Sequence, residues 1–244
     1  MKTVRIDKLM VDRELVPSCQ KAQALLMAGL VLVDEVPVTK AGKLVKEDAA
    51  IRIRGEDHPY VSRGGVKLDH AIREFGCDIK GKVCMDVGAS TGGFTDCLLK
   101  CGAAKVYAVD VGYGQLSSRI ANDSRVVVID RQNIRNLEAG RIPEKIDVVT
   151  VDVSFISLEL VLPVIDRFLT RDGIAITLIK PQFEVGRELV GKDGIVRDPS
   201  SHKFAVDKVV ACAEKLGWTT EGVTTSPIEG AKGNKEFLAL FRKK

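Results

Sequence analysis

The apolar run Val83-Cys84-Met85-Asp86-Val87 passes directly into Gly88-Ala89-Ser90-Thr91-Gly92-Gly93, and a helical pattern begins at Phe94. Small-molecule cofactors bind at such a turn. Glycines there allow positive φ and a close approach of backbone to a ligand, and the first helical turn offers unpaired N–H groups. The spacing is not the GxGxxG of a dinucleotide fold, and no Lys-Ser or Lys-Thr follows as in a phosphate loop. A nucleoside-bearing, cationic ligand remains, and S-adenosylmethionine fits it best. The expected contacts in this segment are Asp86, Gly88, Ser90, Thr91, Gly92, Gly93 and Phe94.

Beyond the turn, helix and strand alternate. Leu68, Ala71, Ile72 and Phe75 stripe a helix ahead of the first strand. Strands are expected at Val106 to Val109, Val126 to Ile129, Ile146 to Val151 and Ile174 to Ile179. Leu158, Val161, Leu162 and Ile165 recur at helical spacing, as do Val206, Val209, Val210 and Ala213. Thr219 to Thr225 and Phe237 to Phe241 read as two strands with no helix between them, so that pair must be antiparallel. The prediction is an α/β fold with a mostly parallel, seven-stranded sheet and ligands at the carboxyl ends of its strands. The terminal antiparallel strand is the added mark of the class I, Rossmann-like methyltransferase fold.

With 244 residues, 45% of them hydrophobic, the chain has room for one large and one small domain. A net charge of +4 suits a nucleic-acid partner without demanding one. The six cysteines form no CxxC pair and no signal sequence precedes them, which points to reduced thiols in a cytoplasmic protein. No metal site is expected, because His58, His70 and His202 all lie far in sequence from Cys97 and Cys101. The longest apolar stretch, Val148 to Leu169, carries Asp152, Glu159 and Asp166, too polar to span a bilayer.

Residues 1–54 follow a different pattern: two short helices, the second opened by Ser18, then a hairpin alternating Val31, Val33, Val36 and Val38. Through Arg5-Ile6-Asp7-Lys8-Leu9, Ser18 to Lys21-Ala22, Leu25 to Gly29 and Val31-Leu32-Val33, this segment resembles the ribosomal protein S-four type of RNA-binding domain. Cys19 stands where that family usually carries a basic residue, and Asp34-Glu35 replaces the usual Asn-Gly turn. The resemblance implies RNA contacts from Arg5, Lys8, Arg13 and Lys21. Residues 55–61 lack apolar periodicity, contain Pro59 and read as a linker to a domain over 62–244.

In that domain Asp86, Asp110, Asp130 and Asp152 follow four strands in turn, and a fifth ends at Lys180-Pro181. Asp110 suits the ribose of the ligand and Asp130 its adenine end. Lys180 would sit at a low-dielectric rim, where burial and neighbouring cations lower an ammonium pKa toward the range of a base, with Asp152 orienting it. The segments Ser62-Arg63-Gly64-Gly65-Val66-Lys67-Leu68, Asp86 to Asp96, Val151 to Ser157 and Ile179-Lys180-Pro181-Gln182-Phe183-Glu184 resemble the TlyA family, described both as haemolysins and as ribosomal RNA 2′-O-methyltransferases. That resemblance implies an S-adenosylmethionine-dependent rRNA (cytidine-2′-O)-methyltransferase acting on ribosomal RNA or ribosomal subunits. The Lys, Asp, Lys, Glu tetrad of related enzymes falls on Lys67, Asp152, Lys180 and Glu236.

Glu184 to Ser201, with Arg187, Lys192 and Arg197, reads as a mobile lid that grips RNA alongside Arg63. A cytosine-C5 chemistry is disfavoured because no Cys ends a strand in the crevice, and an amino-group chemistry because Asp152-Val153-Ser154-Phe155 is not Asp-Pro-Pro-aromatic. The rival readings are a membrane-active haemolysin, and an RNA-binding protein whose methyltransferase-like domain is inactive.

Overall fold

The computed structural model describes residues 3–53 and 58–244, and the chain divides into two compact units, Met1–Asp57 and His58–Lys244. Part of the expected linker, residues 55–57, lies outside the described residues. The rest of it belongs to the second unit: Tyr60 and Val61 pack on that unit's core, and the Val61 N–H donates to Asp96 Oδ2 at 2.9 Å.

The first unit runs β1 (Thr3–Arg5), α1 (Ile6–Asp12), α2 (Cys19–Met27), β2 (Val31–Val33), β3 (Val36–Pro37), β4 (Leu44–Lys46) and β5 (Ile51–Ile53). Ser18 caps α2 by accepting the Lys21 N–H at 3.2 Å. Ile6, Met10, Ala22, Leu26, Val31 and Val45 close the small core. Both residues of the Asp34-Glu35 turn have positive φ, 49° and 64°, the conformation a two-residue hairpin needs. In place of Asn-Gly, side-chain bonds hold it. Asp34 Oδ1 accepts the Ala50 N–H at 2.9 Å, and Glu35 Oε1 accepts Arg52 Nε–H at 2.9 Å.

The second unit continues with α3 (Gly64–Phe75), β6 (Val83–Val87), α4 (Gly93–Lys100), β7 (Lys105–Val109), α5 (Ser118–Ala121), β8 (Val126–Ile129), β9 (Ile146–Val151), α6 (Leu162–Ile165), β10 (Leu169–Ile179), α7 (Pro181–Glu184), α8 (Pro199–Lys215), β11 (Trp218–Thr225) and β12 (Phe237–Lys243). Its seven strands lie in the order β11-β12-β10-β9-β6-β7-β8. The β10, β9, β6, β7 and β8 strands are parallel neighbours, and β12 runs antiparallel between β10 and β11, as the sequence pattern predicts. Strands with both faces covered must be apolar on both. Cys84, Val106, Val148 and Ile176 pack with Leu68 of α3 and Leu98 of α4, while Met85, Val149, Ala175 and Phe241 pack with Leu162 of α6 and Val209 of α8.

The stripe Leu158, Val161, Leu162, Ile165 is buried as its spacing predicts, but it is not one helix. A 3-10 turn over Leu158–Leu160 and the four-residue α6 replace it, with Pro163 in the first turn of α6. Proline cannot donate to the preceding turn, so a continuous helix breaks there.

Candidate active site

The parallel strands all deliver their carboxyl ends to one rim. Gly88 follows β6, Asp110 follows β7, Asp152 follows β9 and Lys180 follows β10. A cavity of about 650 Å³ opens there, lined by Gly88, Ser90, Asp110, Gln132, Asn133 and Asp152 among others. A second, of about 240 Å³, is lined by Arg63, Lys67, Thr91, Gly93, Phe94 and Asp152. Gly88, Ser90 and Asp152 border both, so the two spaces meet at the turn between β6 and α4.

The turn depends on glycine. Gly88 has φ +87°, and a Cβ there would lie 2.3 Å from the Asp152 carbonyl oxygen. A Cβ on Gly93 would fall 2.2 Å from Ser62 Oγ and 2.9 Å from the Gly65 nitrogen, so α3 and α4 meet only because that side chain is missing. Ser90, at φ 47°, donates its N–H to Asp110 Oδ2 at 2.8 Å, and Asp110 Oδ1 accepts the Gly112 N–H at 2.7 Å. Asp110 thus borders the larger cavity while holding the turn.

All four tetrad positions converge on this rim as two ion pairs. Lys180 Nζ lies 2.6 Å from Asp152 Oδ1 and donates to Ser154 Oγ at 2.9 Å. Lys67 Nζ lies 2.6 Å from Glu236 Oε2, both side chains largely buried. Lys67 and Asp152 face the same smaller cavity. Phe155, three residues past Asp152, has φ 64° and stands 91% exposed, its ring 5.1 Å from that of Phe183.

Other expected contacts lie elsewhere. Asp86 does not reach the crevice. It is wholly buried on the α4 side of the sheet, accepting hydroxyl hydrogens from Thr95 at 2.6 Å and Thr150 at 3.0 Å. Asp130 borders neither cavity; its Oδ2 accepts the Gly114 N–H at 2.8 Å and so braces the 111–117 loop. Gly92, at φ +94°, packs against Leu116 rather than facing either space. The residues sequence reasoning missed are Gln132, Asn133, Ile134 and Arg135, which line the larger cavity just past β8. The polar run right after an apolar strand was the available signal.

Burial pushes the Asp86 carboxyl up to about 7, from an ordinary 3.8, against the two threonine hydroxyls that favour its charged form. Between those values the unfolded chain releases a proton that the folded chain keeps, so this residue's contribution to stability falls as pH rises from about 4 to 7. The loss is on the order of a few kcal/mol at roughly 1.4 kcal/mol per pH unit. Asp86→Asn should therefore melt progressively higher relative to wild type as pH is raised from 5 to 8. A gap in melting temperature that stays constant over that range would show that Asp86 ionises normally.

The expected RNA contacts divide. Arg5 Nη2 pairs with the buried Asp7 at 2.7 Å, and Arg13 donates to the Ala49 carbonyl at 2.7 Å and to that of Glu47, so both arginines hold their own unit together. Lys8 and Lys21 are exposed, as are Arg63, Arg187 and Lys192. Arg197 is exposed and paired with Asp193. The expected lid is tied down at its far end. Asn234 accepts the Val196 N–H at 3.1 Å and donates to the Gly194 carbonyl at 2.9 Å, and Lys232 Nζ donates to that of Asp193 at 3.1 Å.

The model of the FtsJ-like methyltransferases matches residues 60–243, and that of the S4 domain residues 4–51. The chain belongs to the FtsJ-like methyltransferase family. Its fold is that of the class I methyltransferases, joined to an N-terminal S4 domain. This FtsJ-like chain is 43% identical over 242 residues to the 16S/23S rRNA (cytidine-2′-O)-methyltransferase TlyA of Mycobacterium tuberculosis, covering 99% of its own length and 90% of the relative's. It is 42% identical to Hemolysin A of Brachyspira hyodysenteriae over 239 residues, 98% of this chain and 99% of that one. Among solved structures, a candidate hemolysin from Streptococcus thermophilus superposes with a TM-score of 0.79 at 39% identity, covering all of this FtsJ-like chain and 90% of the other.

Proposed function

We propose that this protein methylates a ribose 2′-hydroxyl of ribosomal RNA, a cytidine as in the names of its relatives, with S-adenosylmethionine as methyl donor. The observation that carries the reading is the pair of ion pairs, Lys180–Asp152 and Lys67–Glu236, of which Asp152 borders both cavities and Lys67 the smaller one. The larger cavity fits the nucleoside of the donor: it offers the Asp110 carboxylate for sugar hydroxyls and the Gln132 and Asn133 side chains for a base, above a backbone cradle at Gly88 that a Cβ would fill. When bound, S-adenosylmethionine supplies an electrophilic sulfonium methyl group.

A ribose hydroxyl is a weak nucleophile, so alignment and removal of its proton must carry much of the acceleration. Lys180 is the base we assign: as the neutral amine its Nζ takes the 2′-hydroxyl proton, and the ammonium so formed is held by Asp152. Asp152 and Ser154 fix the direction of its Nζ. Lys67, held by Glu236, presents a positive charge to the smaller cavity, where the sugar-phosphate of the target would lie. Phe155 offers a nearly bare aromatic face at the mouth, suited to stacking on a base. Lys8, Lys21, Arg63, Arg187, Lys192 and Arg197 are candidates for salt-sensitive contacts to phosphates. A ribosomal substrate supports a cytoplasmic site of action. No described helix is long and apolar enough to cross a membrane, which disfavours the haemolysin reading in its helical form.

Mapping methylated riboses by mass spectrometry, on ribosomal RNA from cells with and without the protein, tests the reading. One or more cytidines should lose a 2′-O-methyl group in its absence, and purified protein with S-adenosylmethionine should restore it. Identical maps would defeat the proposal. The rival with an inactive domain is separated by a melting experiment. Donor at a hundred times its Kd should stabilise an intact site by about 2.7 kcal/mol; no rise in melting temperature favours the rival.

A further inference from the structure

Glu184 lies four residues beyond Lys180, and its side chain is 2% exposed. Every polar atom of its carboxylate is engaged. Oε1 accepts the Leu158 N–H at 2.8 Å, and Oε2 accepts the Ser157 hydroxyl at 2.6 Å with Lys208 Nζ at 3.4 Å. Lys208, on α8, also donates to the Glu184 carbonyl at 2.9 Å and to Ser157 Oγ at 3.3 Å, and pairs with Glu159 at 3.0 Å. Burying a carboxylate is costly unless it is paired and hydrogen-bonded. The cost here is met by donors that all come from the 157–158 segment and from α8.

The two ends of α7 therefore grip the same loop. At its start, Lys180 holds Asp152 and Ser154; at its end, Glu184 holds Ser157 and Leu158. Between these anchors stands Phe155, in a left-handed conformation that a non-glycine residue keeps only when its surroundings impose it. Its ring partner Phe183 is also on α7. A segment fixed at both ends presents the two oxygens that aim Lys180 Nζ in one arrangement. Freed at one end, it can swing about the other.

We propose that Glu184 is a positioning residue for methyl transfer, clamping the 152–158 loop through Ser157 and Leu158 so that Asp152 and Ser154 hold Lys180 in its working orientation. The proposal rests on the transfer reading above, but the clamp itself can be judged without any turnover. Glu184 touches neither cavity, so its effect is transmitted through the loop.

The test uses the full chain and the variants Glu184→Ala, Glu184→Gln and Ser157→Ala. Amide hydrogen exchange is measured without donor or RNA, and the single-turnover rate is measured with both. In Glu184→Ala, exchange over residues 153–160 should quicken at least about tenfold while the sheet strands keep wild-type protection, and methyl transfer should slow by roughly 10- to 100-fold. The amide oxygen of Glu184→Gln can still accept from Leu158, but its NH2 faces Lys208 and cannot accept from Ser157, whose oxygen already takes Glu159 and Lys208. This variant should therefore recover only part of the rate, staying at least about threefold faster than the Ala variant. Ser157→Ala, which removes one anchor only, should slow transfer about fivefold, and it carries the test if Glu184→Ala does not fold. Unchanged exchange over 153–160 overturns the clamp. So does a Gln variant as slow as the Ala variant with protection lost across the whole sheet, since Glu184 would then merely support the fold. Should the wild type transfer no methyl group, the function proposed above fails, while the exchange data still decide on the clamp.

Discussion

Replacing Lys180 by Ala should cut methyl transfer by at least about 10³-fold while leaving the affinity for S-adenosylhomocysteine within about threefold of wild type. Two contributions vanish together. The proton acceptor is lost, and so is the group that fixes Asp152 at 2.6 Å and Ser154 at 2.9 Å. Product affinity should survive because the larger cavity is lined without Lys180. A second substitution separates a base from a mere positive charge. Lys180→Arg keeps a cation near Asp152, but a guanidinium does not give up its proton in proteins, so it should be almost as inactive as the Ala variant. Single-turnover rates on ribosomal RNA, with binding measured by calorimetry, check both. If Arg restores the rate to within tenfold of wild type, Lys180 acts as a charge and some other group removes the proton.

The rim of the sheet was legible in the sequence because apolar strands end abruptly in polar residues. The legible part is positional: Asp110, Asp152 and Lys180 each stand one residue past the last of their strand. Asp86 does not. It lies inside β6, and its alternation with Val87 turns it toward Thr95 of α4 and Thr150 of β9. Asp130 also stands one residue past its strand and still misses the cavity: it follows the edge strand β8, where the 111–117 loop receives it. The Lys67–Glu236 pair spans 169 positions of chain, so no local spacing could announce it; only the resemblance to related methyltransferases placed the two residues together. The arginines of the first unit show a role that pattern alone does not reveal. The S-four resemblance marks Arg5 and Arg13 as RNA contacts, and the geometry also gives them a carboxylate and two carbonyls to bind within their own unit.

Gly88→Ala should be the most damaging single methyl group that can be added at this site. The residue has φ +87°, which an alanine adopts only under strain, and the new Cβ would lie 2.3 Å from the carbonyl oxygen of Asp152 and 2.9 Å from its carbon. Neither neighbour is the movable end of a side chain. The Gly88 N–H donates to the Val109 carbonyl at 2.9 Å, and the Asp152 N–H to that of Val87 at 2.9 Å, so the sheet holds both backbones in place. Relief must come from shifting the end of β9, which disturbs the placement of Asp152 against Lys180 and distorts the wall common to the two cavities. The combined strain and displacement should cost about 2 to 4 kcal/mol, a fall of roughly 4 to 16 °C in melting temperature for a domain of this size. The donor should no longer raise that temperature at all. Gly76→Ala is the matched control, since Gly76 ends α3 at φ +64° with nothing within 4 Å of its would-be Cβ. It carries the backbone strain without the collision, and should cost about 1 kcal/mol while keeping the full donor-induced shift. If Gly88→Ala retains that shift as Gly76→Ala does, the close approach of the β6 turn to Asp152 is not what shapes the donor site.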